Sequence, residues 1–366
     1  MLASLLLGFL PHVLLPAATG GDARLDLKRI EAFAHRWWEA RPRNAFYDWD
    51  EKQRGALLRE AEAIGAIPEG SLDKVKDTLW AVARQTMPLP RKRGKMETPY
   101  GEATWLEKNR GSPRTGLIIG LHGGGEGAGS AAEATQWTAR ECLGLYPQGI
   151  HLVHDTWNTV HGERFALALI EMAKLRDDVD PDRVYAMGFS MGGSGSWFLA
   201  GRHPDLLAGS APFSGVIMAA PRAQLMRKEE VQSLQHGLLP NVRNLAMYYD
   251  IGLADDHCMP GTYLYAWDVL QRLRAEDPQG YAEIQFKTID GLGHAFPPGE
   301  PEGAIKWLCQ RRRHAFPEKL VWEYTRPIRS RNPRRASRSR ACKKRSFYFD
   351  LACRKPIDNM RVIAAV

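Results

Sequence analysis

The sequence predicts an α/β protein built on a mostly parallel sheet with helices over both faces, and three observations predict it. From residue 115 onward, short runs of strand-forming residues alternate with segments of helical periodicity. Runs such as Leu117-Ile118-Ile119-Gly120-Leu121 are apolar at every position, which suits a strand buried on both faces. The run Arg183-Val184-Tyr185-Ala186-Met187-Gly188-Phe189 then leads directly into Ser190-Met191-Gly192-Gly193, with helix-compatible residues from Gly195 to Ala200. A strand turning that sharply into a helix lifts the serine hydroxyl clear of the sheet.

The chain of 366 residues is long enough for one large core with small additions. Its formal net charge of +8 is uneven: residues 311–345 carry fourteen Lys and Arg against two Glu, so the remainder is net negative. The basicity therefore belongs to a C-terminal segment and says nothing of a basic active site. The five cysteines, Cys142, Cys258, Cys309, Cys342 and Cys353, form no Cys-x-x-Cys pair and no metal-ligand spacing. They read as packing residues or free thiols.

Taken in order, residues 1–20 are apolar and end in Ala17-Ala18-Thr19-Gly20, the composition of a secretory signal peptide without its basic start. If they act as one, the chain is secreted or periplasmic; otherwise it is cytoplasmic. No other stretch is long and apolar enough for a membrane span. Residues 24–87 read as an N-terminal addition of amphipathic helices, with Ile30, Phe33, Trp37 and Trp38, then Leu57 and Ala61, then Val75, Leu79 and Val82 at helical spacing. Such an addition serves as a packing cap, or as a lid or partner surface. Pro88 to Lys95 is a linker by composition, and 96–108 a strand pair turning at Pro99-Tyr100-Gly101.

Within a catalytic domain over 95–313, strands are expected at 115–121, 150–154, 183–189, 207–214, 244–250 and 283–289. Helices are expected at 131–142, 162–176, 191–202, 262–276 and 302–313. Residues 314–366 form a basic loop and a β appendage, with strands at 320–324, 347–351 and from Met360 to Val366. The Arg-, Ser- and Pro-rich connection from Arg326 to Arg345 reads as a solvated, unstructured loop. It lacks the aromatic interleaving and fold of a nucleic-acid site, so no nucleic-acid partner is expected.

The candidate chemistry falls beyond the carboxyl ends of the strands, where such sheets bind ligands. Ser190 is the candidate nucleophile, and the N–H of Met191 is aimed at a developing oxyanion. His122-Gly123-Gly124-Gly125 follows the first central strand, and the N–H groups of its glycines, Gly123 and Gly124 first, supply the second half of an oxyanion hole. His122 itself is an orienting or packing residue with a lesser claim to touch substrate. After the strand Leu245–Tyr249, three aspartates compete as the triad acid: Asp255 is favoured, Asp256 is next and Asp250 last. On the loop Asp290-Gly291-Leu292-Gly293-His294, His294 is the best placed of eleven histidines to act as general base, with His257 its rival. Trp157, in Asp155-Thr156-Trp157-Asn158, is a candidate for the pocket wall or for the edge of the core. The order Ser190, Asp255, His294 suits a serine hydrolase that needs no cofactor and no metal.

The run Val179-Asp180-Pro181-Asp182-Arg183-Val184-Tyr185 into Gly188-Phe189-Ser190-Met191-Gly192-Gly193 resembles the α/β-hydrolase superfamily. It is similar, more narrowly, to bacterial polyhydroxybutyrate-depolymerase-like, feruloyl/acetylxylan-esterase-like and dienelactone-hydrolase-like proteins. Gly162-Glu163-Arg164-Phe165, His203-Pro204-Asp205 and Phe213-Ser214-Gly215 fit that branch as well. The resemblance covers about residues 96–313 and implies an α/β-hydrolase fold, a small or polymeric carboxylic ester as substrate, and a serine esterase activity. Ile251 and the Asp255-Asp256 doublet depart from the usual acid loop. The other readings are a peptidase, a dienelactone- or phospholipase-type hydrolase, and a non-catalytic binding protein on the same fold.

Overall fold

The computed structural model describes residues 26–42, 44–64, 67–87, 94–109, 115–124, 129–149, 156–176, 179–217, 238–258, 260–314, 317–325 and 359–365. The leader over 1–20, residues 88–93 of the linker, Gly125, the strand at 150–154, the connection 326–345 and the strand at 347–351 lie outside them.

Eight strands form one sheet: β1 (Lys95–Thr98), β2 (Gly101–Lys108), β3 (Gly116–Leu121), β4 (Cys142–Pro147), β5 (Val184–Phe189), β6 (Gly209–Phe213), β7 (Ala246–Gly252) and β8 (Ile284–Ile289). Their spatial order is β1-β2-β4-β3-β5-β6-β7-β8. The β1/β2 and β2/β4 pairs are antiparallel, and every pair from β4 to β8 is parallel. This is the α/β-hydrolase fold.

Alternation along the central strands builds two cores. Leu117, Ile119 and Leu121 of β3, Val184 and Ala186 of β5, and Met247, Tyr249 and Ile251 of β7 face one core. That face is covered by α4 (Val160–Lys174), α5 (Met191–Arg202) and α6 (Gly261–Glu276). Ile118, Tyr185, Met187 and Tyr248 point the other way, toward Trp137 and α7 (Glu302–Leu308). Strands buried on both faces carry no polar alternation, which is why their sequences are apolar throughout.

Two elements differ from the sequence reading. The helix expected over 131–142 is a single 3₁₀ turn, Glu133–Gln136, and β4 occupies Cys142–Pro147. Gly144 and Pro147 disfavour a helix, and a segment buried at every position fits only between β2 and β3. The last helix ends at Leu308 instead of running to residue 313, and Arg313 pairs with Asp182 from the extended chain beyond it.

The N-terminal addition comprises α1 (Leu27–Ala40), α2 (Glu51–Ile64) and α3 (Leu72–Thr86). Phe33, Trp37, Val75, Leu79 and Ala83 form its own core, with Leu175 joining from beyond α4. It lies along α4: Arg164 donates to the Phe46 carbonyl at 2.7 Å and pairs with Asp48 at 2.6 Å, and Arg41 forms a buried ion pair with Glu171. At the other end of the chain, β9 (Lys319–Thr325) and β10 (Asn359–Ala365) make an antiparallel pair. Asn241 holds β9 to the domain, donating to the Glu323 carbonyl at 3.0 Å and accepting from its N–H at 2.6 Å.

Candidate active site

Ser190 stands between β5 and α5 with φ 58° and ψ −120°, a backbone that L-residues rarely adopt and that a nucleophile elbow requires. The turn is fixed by close backbone approach. A Cβ on Gly192 would lie 2.0 Å from the Leu121 carbonyl oxygen, and one on Gly188 would lie 2.4 Å from the Gly192 carbonyl carbon. The Ser190 N–H donates to the Phe213 carbonyl at 2.9 Å, so β6 also holds the elbow in place.

The acid and the histidine arrive on adjacent loops. β7 and β8 pair in parallel through Gly252 and Ile289, and beyond them Leu253 N–H donates to Ile289 O at 2.9 Å and Ala254 N–H to Leu292 O at 3.0 Å. The two chains pass so closely that a Cβ on Gly252 would lie 2.1 Å from the Leu292 carbonyl oxygen. This docking sets the His294 imidazole between its partners: Nδ1 is 2.9 Å from Asp255 Oδ2, and Nε2 is 2.9 Å from Ser190 Oγ. A carboxylate only accepts, so Nδ1 carries the proton and Nε2 accepts the serine hydroxyl.

Of the three aspartates, only Asp255 reaches the imidazole. Its other oxygen accepts the N–H groups of His257 and Cys258, each at 2.9 Å. Burial by itself would raise its pKa, but the hydrogen bond from His294 and the two backbone N–H groups outweigh burial and hold the carboxyl below its ordinary value. Asp256 is exposed and bonds His257 Nδ1 at 2.6 Å. Asp250 lies inside β7, buried, and burial drives its pKa up to about 7.

Two neighbours of His294 were not singled out for this position by the sequence. Phe189 packs against one side, ring centroids 4.8 Å apart, and His257 stacks on it at 4.7 Å with planes 17° apart. Phe189 immediately precedes Ser190, and its side-chain direction follows from the strained turn that no local pattern reports.

Beside Ser190, β3 leads into His122, Gly123 and Gly124. Gly149 N–H donates to His122 Nε2 at 3.1 Å, so Nδ1 bears the proton and donates to the Gly123 carbonyl at 2.8 Å. That bond turns the carbonyl away and fixes the peptide carrying the Gly124 N–H. Burial lowers the His122 pKa, against the pull of the Gly123 carbonyl and of Glu133, which keeps the ring in this neutral form. Trp157 is absent from the cavity lining; it is buried behind the loop, where its indole N–H donates to the His122 carbonyl at 2.9 Å. Among the described residues, the N–H groups of Gly123, Gly124 and Met191 have no acceptor. They bracket Ser190, with the N-terminus of α5 adding its positive dipole end.

Gly123, Gly124, Ser190 and His294 border a cavity of about 410 Å³, within the size range of small-molecule sites. Leu121, Ala134, Trp137 and Phe189 give it an apolar wall, while Glu133 and Gln136 stand at its rim. Asp255, Cys258 and His294 also place one carboxylate oxygen, one thiol and one imidazole nitrogen within 4.8 Å of one another. The carboxylate and imidazole of that group already bond each other. Cys142, Cys258 and Cys309 are buried free thiols.

The model of the dienelactone hydrolase family matches residues 144–304. Over 57 residues the chain is 44% identical to the candidate esterase NocK of Nocardia uniformis subsp. tsuyamanensis, which is 16% of this chain and 17% of that protein. Over 114 residues it is 31% identical to poly(3-hydroxyalkanoate) depolymerase C of Paucimonas lemoignei, 27% of each. The chain thus spans well under a third of the length of either relative. Among solved structures, a thermostable esterase is similar at 18% identity and a TM-score of 0.42, over 60% of this chain and 62% of that one.

Proposed function

We propose that this dienelactone-hydrolase-like chain is a carboxylic ester hydrolase working through an acyl-enzyme on Ser190. His294 Nε2 takes the hydroxyl proton as Ser190 Oγ attacks the ester carbonyl. Asp255 keeps the imidazole in the tautomer that leaves Nε2 free and stabilises the imidazolium that forms. The oxyanion is held by Met191 N–H and by an N–H of the Gly123-Gly124 loop, each such donor lowering the barrier by about 3 kcal/mol. His294 then gives its proton to the departing alkoxide; in the second half it draws a proton from water, the hydroxide equivalent attacks the acyl carbon, and His294 returns the proton to Ser190 Oγ as the Oγ–acyl bond breaks and the carboxylic acid leaves. These steps use side chains and backbone only.

The observation that carries this reading is the pair of 2.9 Å hydrogen bonds joining Asp255, His294 and Ser190 at the mouth of the cavity. The test is turnover of p-nitrophenyl acetate and butyrate, together with labelling by a fluorophosphonate, in wild type and Ser190→Ala. Labelling that disappears with Ser190, and a fall in kcat of about 10³-fold or more, are the expected results. A folded wild type that neither turns over nor labels would overturn the reading and favour a binding protein on the same fold.

A further inference from the structure

The 3₁₀ turn Glu133–Gln136 stands where a longer helix was expected, and its geometry bears on substrate choice. In a 3₁₀ helix, residues three apart eclipse one another, so Glu133 and Gln136 point the same way. Both border the cavity that holds Ser190 and His294, above an apolar wall that includes Trp137. Trp137 itself is fully buried against Phe213 and Phe296, ring centroids 5.6 Å away in each case, which anchors the turn. The Glu133 carboxylate has no hydrogen-bond or ion-pair partner among the described residues. Its charge is close enough to act on His122, at the base of the oxyanion loop. Among the described residues lining the cavity there is no Lys or Arg.

We propose that Glu133 is a charge-selecting residue of this cavity: with Gln136 beside it, it admits esters whose acyl or alcohol group is cationic or donates hydrogen bonds, and turns away esters that bear a carboxylate. This rests on the serine hydrolase reading of the same site. A carboxylate entering a half-enclosed cavity beside another meets like-charge repulsion and loses water with no Lys or Arg among the described lining residues to replace it. An ammonium, amine or hydroxyl group finds an acceptor in Glu133 and in the Gln136 amide oxygen.

The experiment measures kcat/KM by pH-stat on two charge series in wild type, Glu133→Gln and Glu133→Asp. The acyl series is methyl γ-trimethylammoniobutyrate, methyl hexanoate and monomethyl adipate. The alcohol series is butyrylcholine, dimethylbutyl butyrate and the butyrate ester of γ-hydroxybutyric acid. In at least one series the wild type should prefer cationic over anionic ester. Glu133→Gln should reduce that ratio roughly threefold to tenfold, the effect of one charge across a half-wet cavity, and added salt should shrink it in wild type. Glu133→Asp should retain the ratio, since it keeps the charge and changes the shape. A ratio unmoved by Glu133→Gln in both series, with fluorophosphonate labelling of Ser190 intact, would overturn the selector while leaving the hydrolase reading standing. Absence of labelling in folded wild type would remove both.

Discussion

Asp255 and Asp256 are adjacent carboxylates in different surroundings. Asp255 is buried and accepts three hydrogen bonds, while Asp256, exposed, reaches the exposed His257 ring alone among the described residues. Asp255→Asn should therefore cost about 10³- to 10⁴-fold in kcat, because an amide at this point favours the wrong imidazole tautomer. Asp256→Asn should cost far less, and steady-state kinetics on p-nitrophenyl butyrate separates the two. The lowered Asp255 pKa carries its own sign. Its stabilising bonds are fully present above the ordinary carboxylate pKa and are lost as pH falls through the lower folded value. Relative to wild type, the unfolding free energy of Asp255→Asn should accordingly show a weaker dependence on pH on the acid side of that range. The chain itself offered Asp255, Asp256 and Asp250 as rivals. What separated them was the direction of each side chain after β7, which depends on where the His294 loop docks.

At the scale of elements, the strand–serine–helix unit is held by the crossing of α5 over the end of β3. Gly192→Ala would put a methyl group 2.0 Å from the Leu121 carbonyl oxygen, a backbone atom fixed in the sheet, so α5 must move outward. The expected cost is about 1–3 kcal/mol, with a lower Tm by calorimetry and a larger fall in esterase activity than the stability loss explains. This unit was legible because its glycines, its serine and its apolar strand are contiguous. The stretch 131–142, read as helical, was not, and neither was β4 beyond it, because the burial of β4 on both sides is set by β2 and β3. Glu133 and Gln136 take their place at the cavity from that arrangement.

For the whole molecule, Asp250 makes stability depend on pH. Burial raises its pKa to about 7, with Glu300 adding to the rise and Lys287 opposing it, against an ordinary 3.8. The folded chain therefore holds a proton at this site that the unfolded chain releases between these two values. Stability falls as pH rises across that window and levels off above it. Asp250→Asn should flatten this slope and raise the unfolding free energy at pH 8 by an amount on the order of 2–4 kcal/mol, read from urea titrations at several pH values. The addition α1–α3 contributes differently, through its packing along α4. Glu171→Ala would take from the buried Arg41 the carboxylate it pairs with, at a cost of about 3–5 kcal/mol, and should expose the addition to limited proteolysis first.

Legible along the chain alone were the alternation of strands and helices, the doubly buried character of the sheet, the strand–Ser190–helix turn, and the order in which Ser190, Asp255 and His294 follow one another. These are local properties, since periodicity, glycine spacing and motif order are written in neighbouring residues. It took the folded chain to show which aspartate meets His294, that Phe189 and His257 pack on its ring, that Trp157 stands behind the His122-Gly123-Gly124 turn, and that Glu133 borders the cavity. Each of these joins residues far apart in the chain, and their contacts depend on strand order and loop docking. Those are fixed by the packing of the complete sheet, which no stretch of sequence contains.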